Sequence, residues 1–113
     1  MTPLRGEVYW LDFDPAIGAE MRAMHPCVIV SNNVGNRVGS LVIVVAVTSN
    51  LRAASLPVGV LFPAGTGGRP KDSVAHCGHV YTVDKARLNS RIGELPDVYM
   101  QSIERALRIS LTL

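Results

Sequence analysis

No apolar run in this sequence is long enough to cross a membrane as a helix. The longest, "LVIVVAV" (41–47), has seven residues, against the roughly 20 that such a span needs. The opening "MTPLRGEVYW" holds no apolar stretch of signal-peptide length, so the expectation is a cytoplasmic protein with no membrane partner. Cysteine is scarce. Cys27 and Cys77 both lie in apolar surroundings, which reads as reduced core packing and not as a disulfide framework. Charge of one sign is also lacking: the net charge is only +2, so no strong basic patch advertises a nucleic-acid binder. The basic residues are mostly arginine, however, and its planar fork of donors suits phosphate. No serine nucleophile elbow is present. The glycine-rich "AGTGGRPKDS" (64–73) lacks the spacing of a phosphate-binding P-loop, and no strong helix follows it.

What is there is apolar and short. At 113 residues, 48% hydrophobic, the chain reads as one domain over 1–113 with one core and no linker. "GEVYWLDF" (6–13) is rich in β-formers and ends at an Asp-Pro turn signal. Residues 14–25 read as a loop and "CVIVS" (27–31) as a second strand. "NNVGNRVGS" (32–40) reads as a turn by its Asn and Gly content. "LVIVVAVTS" (41–49) is apolar on both faces, the mark of a central strand covered on two sides. "LPVGVLFP" (56–63) is a fourth strand broken by Gly59, and "SVAHCGHVYTV" (73–83) a fifth, kinked at Gly78. "DKARL" makes one helical turn capped by Asp84. From Asp97 to Leu111 the spacing predicts a helix with Val98, Ile103, Ala106, Leu107, Ser110 and Leu111 on one side. The sum is a mainly β, strongly bent sheet or barrel closed by short helices.

Two clusters invite chemistry. His76, Cys77 and His79 are close in sequence, but alternation along a strand turns His76 away from the other two. That leaves a tetrahedral metal site half built, so no metal and no cofactor are expected. His25 stands directly before Pro26, with Arg22 and Glu20 shortly upstream. Histidine exchanges protons near neutral pH, and arginine holds phosphate or an oxyanion. Together they suit metal-free cleavage of a phosphodiester by its own 2′-hydroxyl, which needs a base, donors to the phosphate charge and an acid. The same residues also fit a solvated loop before a core strand. Thr48 closes the central strand, where β-propensity alone would place it.

These segments, in order, resemble the MazF/PemK family of toxin endoribonucleases. "RGEVYWLDFDPAIGAE" resembles that family's opening strand, Asp-Pro turn and Gly-Ser-Glu loop. "HPCVIVSNNVGNR" is similar to its Arg-Pro strand with a Ser-Asn ending. "IVVAVTSN" resembles the strand carrying Thr-Ser or Thr-Thr, and "KDSVAHCGHVYTVDKARLNSRIGEL" its late strand and Thr-Val-Asp-Lys-x-Arg-Leu turn. "IERALRISLTL" is similar to its terminal helix. The resemblance runs from about Arg5 to Leu111. It implies an SH3-like barrel of the CcdB/PemK type with short helices and a C-terminal α-helix. It implies a homodimer that cuts single-stranded RNA sequence-selectively without metal, leaving 2′,3′-cyclic phosphate and 5′-hydroxyl ends. The partner it implies is a cognate, MazE-like antitoxin protein whose tail blocks the RNA groove.

Arg22 lies close enough in sequence to supply fixed charge, and, carried over residue by residue, the resemblance assigns catalysis to Thr48 and to position 25. It assigns RNA contact to Glu20, Ser49 and His79. The family has arginine where this chain has His25, and Gln, a hydrophobe, then Arg or Lys where this chain has His79, Val80 and Tyr81. Histidine can do an arginine's proton-transfer work but supplies neither its permanent charge nor its fork. The alternative is a catalytically weakened dimer that binds antitoxin or RNA. A gyrase poison of the related CcdB type fits less well, because the "SLTL" ending lacks that family's terminal aromatic.

Overall fold

The computed structural model describes residues 2–12 and 24–113. Six strands form one antiparallel sheet: β1 (Glu7–Asp12), β2 (Met24–Ile29), β3 (Leu41–Thr48), β4 (Gly59–Phe62), β5 (Ser73–Asp84) and β6 (Leu88–Glu94), in the order β4-β5-β3-β2-β1-β6. Helix α1 (Asn33–Val38) lies between β2 and β3, and α2 (Asp97–Leu111) follows β6. Short 3₁₀ turns occupy Leu51–Ser55 and Lys85–Arg87. The sheet curls until the loop leaving β4, at one edge, meets β6 at the other. A Cβ on Gly93 would lie only 2.7 Å from the Gly67 carbonyl carbon.

β3 is the interior strand that its two-sided apolarity predicts. Val45 and Val47 point into a core shared with Val8, Val28, Phe62 and Cys77, and with Met100, Ile103 and Ala106 of α2. Val42, Val44 and Ala46 point the other way, into a cluster with Tyr9, Leu11, Cys27, Ile29 and Leu88. Alternation along one β-branched strand thus supplies both apolar layers. Both cysteines are free and buried, and burial pushes each thiol up to about 12.

Several expectations are corrected. β2 begins at Met24, so His25 lies within a strand, opposite Leu11, and not in a loop. β2 pairs with β1 from Met24 but with β3 only from Cys27, so Pro26 sits where the strand has one neighbour and its missing N–H is tolerated. Residues 33–38 are a helix, not a turn. Asn32 accepts from the Gly35 N–H at 2.7 Å, and buried Asn36 donates to the Ser31 carbonyl at 3.1 Å. Such side-chain capping outweighs poor intrinsic propensity. β6 went unpredicted, because its "LNSRIGE" is mostly polar and exposed. It is held in part by Glu7, a buried carboxylate that accepts from the Arg91 Nε at 2.5 Å and the Leu4 N–H at 2.6 Å. In α2 the buried stripe is Met100, Ile103 and Ala106, whereas Val98 and Leu111 are 61% and 54% exposed.

Gly59 starts β4 and does not break it. A Cβ there would lie 2.0 Å from the Ala53 carbonyl oxygen, so the 3₁₀ turn at Leu51–Ser55 can rest on the sheet only over glycine. Overpacking of this kind costs about 1–3 kcal/mol. Gly59→Ala is therefore expected to lower the melting temperature by on the order of 10 °C, read by circular dichroism.

Candidate active site

The site is built on the β3–β5 ladder. Val45 pairs with Val80 and Ala46 with His76, so Cys77, Gly78 and His79 have no partner on β3. Their backbone donors are satisfied elsewhere: Cys77 N–H binds the Val58 carbonyl at 2.8 Å, and Gly78 N–H binds His76 Nδ1 at 3.1 Å. Such a bulge re-aims side chains. Cys77 goes into the core, while His76 and His79 come face to face, ring centroids 4.1 Å apart and planes tilted by 39°. The expectation that strand alternation keeps these two histidines apart is overturned by the bulge.

Gly78 favours this arrangement, since a Cβ on it would lie 2.8 Å from His76 Cε1 and the ring would have to shift. Beyond the pair, Tyr81 meets His79 edge-on at 6.4 Å. His79 Nδ1 is buried with no hydrogen-bond partner among the described residues.

The two imidazoles form one wall of a cleft of about 400 Å³, completed by Thr48, Asn50, Arg52, Ala53 and Leu56. Thr48 ends β3, and its Oγ1 accepts from Asn50 N–H at 3.0 Å. That holds the oxygen in place and leaves the hydroxyl hydrogen to donate. Asn50 then caps the 3₁₀ turn, accepting from Arg52 N–H at 3.1 Å. A hydroxyl, an amide, a guanidinium and two imidazoles over an apolar floor are a donor-rich setting for an anion bearing a flat ring.

Of the residues expected in the site, Thr48 and His79 line this cleft, and Ser49 is exposed directly after Thr48. His25 is half-buried in β2. Continuing the Cys27↔Ala46 register by two residues brings it level with Thr48, on the neighbouring strand. Arg22 and Glu20 lie outside the described residues. Asn50, Arg52 and Leu56 leave no sign in the sequence, which offers His76 only as a metal ligand; the one signal for the bulge is the glycine inside "HCGH". Among the described residues no three of His, Cys, Asp and Glu converge as metal ligands.

Comparison with known proteins agrees with this architecture. A family model described as PemK-like, MazF-like toxin of type II toxin–antitoxin system matches residues 4–111. Endoribonuclease EndoA of Bacillus subtilis (strain 168) is 38% identical over 113 residues, covering 100% of this chain and 97% of EndoA. Among solved structures, an endoribonuclease in complex with its cognate antitoxin from Mycobacterial species superposes with a TM-score of 0.82 at 30% identity, covering 98% of this chain and 96% of that one. MazF from Deinococcus radiodurans superposes with a TM-score of 0.85 at 27% identity, covering 100% and 99%.

Burial, and after it the neighbouring His76, holds the His79 pKa below the ordinary histidine value of 6.5. Unfolding restores that value, so as pH falls the unfolded chain takes up the proton first. The His79 contribution to stability is complete above about pH 6.5 and is lost as pH falls toward the folded pKa. Phenylalanine keeps a stacking ring and removes the titration. Between about pH 7.5 and about pH 5.5 the parent's melting temperature is expected to fall more steeply than that of His79→Phe.

Proposed function

This chain belongs to the PemK-like, MazF-like toxin family of type II toxin–antitoxin systems, and on that footing we propose how it works as an endoribonuclease. It cuts single-stranded RNA at selected sequences, without a metal ion, by attack of the substrate's own 2′-hydroxyl. His25 takes the hydroxyl proton and the 2′-oxygen bonds to phosphorus. The P–O5′ bond breaks, and the 5′-oxygen leaves with a proton from solvent. The products are a 2′,3′-cyclic phosphate and a 5′-hydroxyl. Thr48 donates its hydroxyl hydrogen to the phosphate, and Arg22 supplies fixed positive charge. Glu20, Ser49 and His79 contact the flanking RNA. The protein acts as a homodimer and is neutralised by a cognate MazE-like antitoxin. The mycobacterial relative solved with its own antitoxin supports that pairing. Among the described residues no helix is long and apolar enough to cross a membrane.

One observation carries this reading. Thr48 is pinned by Asn50 with its hydroxyl hydrogen left to donate, at the end of the central strand, in a cleft walled by imidazoles. A fixed donor of this kind binds developing phosphate charge without reorganising.

A second reading, the catalytically weakened dimer, is favoured by His25 itself, which stands where the family has arginine. The two separate by experiment. Purified protein dialysed against EDTA is expected to cut a long RNA, with cyclic phosphate at the mapped ends. Thr48→Ala is expected to lose about 10²–10³-fold in rate, and His25→Ala on the order of 100-fold, with melting temperatures nearly unchanged. Activity that requires added magnesium or zinc would reject the metal-free mechanism. A parent that is inactive while His25→Arg cleaves would establish the weakened-dimer reading.

A further inference from the structure

Among the described residues, His76 is the ring in the cleft that a backbone hydrogen bond orients. Its Nδ1 accepts from Gly78 N–H at 3.1 Å, so the imidazole carries its hydrogen on Nε2. Three features hold the ring still. Gly78 presses against its Cε1 edge, with no room for a Cβ. His79 stacks on its face at 4.1 Å. Its backbone is pinned between two ladders, opposite Ala46 on β3 and Gly59 on β4. Directly paired residues project to one face of a sheet, and so do residues two apart on one strand. His76, opposite Ala46, therefore shares a face with Thr48, and both line the same cleft. His25, level with Thr48 on β2, lies on the far side of the threonine.

We propose that His76 is a further catalytic residue, a fixed hydrogen-bond donor that binds a non-bridging oxygen of the scissile phosphate through Nε2–H, beside the Thr48 hydroxyl. The inference rests on the ribonuclease reading above. The physical need is specific to this chain. With His25 in place of an arginine, position 25 offers the phosphate no guanidinium fork, and the phosphorane-like transition state still gathers charge on its non-bridging oxygens. A second oriented donor restores one prong of that fork without supplying charge. With Nδ1 engaged as an acceptor, the ring is built to donate from Nε2 and not to shuttle protons. His79 is then a positioning residue that stacks the donor in place.

Glutamine at position 76 offers an amide N–H at about the reach of Nε2 but cannot transfer protons, so it separates the two roles. Single-turnover cleavage by His76→Ala is expected to fall about 10²–10³-fold. His76→Gln should keep most of the parent's rate. Affinity for a single-stranded 2′-deoxy copy of the mapped cut site should fall far less in His76→Ala than its rate does, because the donor binds most strongly the charge that develops in the transition state. Alanine cleaving like the parent, or glutamine as inactive as alanine, would overturn the assignment while leaving the ribonuclease reading intact. A long-range ¹H–¹⁵N spectrum of the unmutated protein tests it independently of activity and of mutant folding. The His76 hydrogen should sit on Nε2, and that nitrogen should shift as inorganic phosphate is added. A hydrogen on Nδ1, or a resonance unmoved by phosphate, would refute the role even where the parent proves inactive on RNA.

Discussion

The bulge in β5 is the constraint on which the site depends. Three residues of β5 go unpaired between Ala46 and Val45 of β3, and each is placed by a different force. Cys77 is drawn inward, where its side chain joins the main core and its N–H reaches the Val58 carbonyl. Gly78 can lie flat against an imidazole because it has no Cβ. His79 is left to close over His76. A regular ladder here would point the two histidines to opposite faces, so that only one of them could share a face with Thr48.

The bulge persists because the structure around it is rigid. β3 is buried on both faces, by the helix-side core and by the cluster behind it. Its register with β2 and β5 therefore cannot slip without exchanging one apolar layer for the other. On the far side of the cleft, the 3₁₀ turn rests on Gly59 and is capped by Asn50, the residue that also pins Thr48. The walls of the cleft thus rest on a strand fully buried from Val44 to Val47 and on a turn with no room to move toward it. Preorganised donors work by not having to reorganise, and these are anchored accordingly.

One tension remains in the site's chemistry. Burying His79 beside His76 holds its pKa down, so the groove gains a stacked aromatic surface at the expense of positive charge. What the cleft then offers is oriented neutral donors and the Arg52 guanidinium. Tyr81 extends that aromatic surface, packing edge-on against His79.

The sequence by itself determined much of the frame. The two-sided apolar run of β3, the terminal helix from Asp97 to Leu111, the Asp84-capped turn and the buried, unpaired cysteines were all legible, because periodicity and capping are local properties. The order of motifs was enough to indicate the family, and Thr48 could be named from it. Tertiary structure alone decided the rest. Helix α1 exists through the side chains of Asn32 and Asn36, and β6 through pairing with β1 around the buried Glu7 carboxylate; neither leaves a hydrophobic pattern to read. The rotation of the buried stripe in α2 depends on which strands it meets, β4 and β5. His76 entered the site only because a long-range ladder lost its register at Cys77–His79. Strand alternation predicts the opposite, and a pairing partner some 30 residues away in sequence is beyond what local pattern encodes.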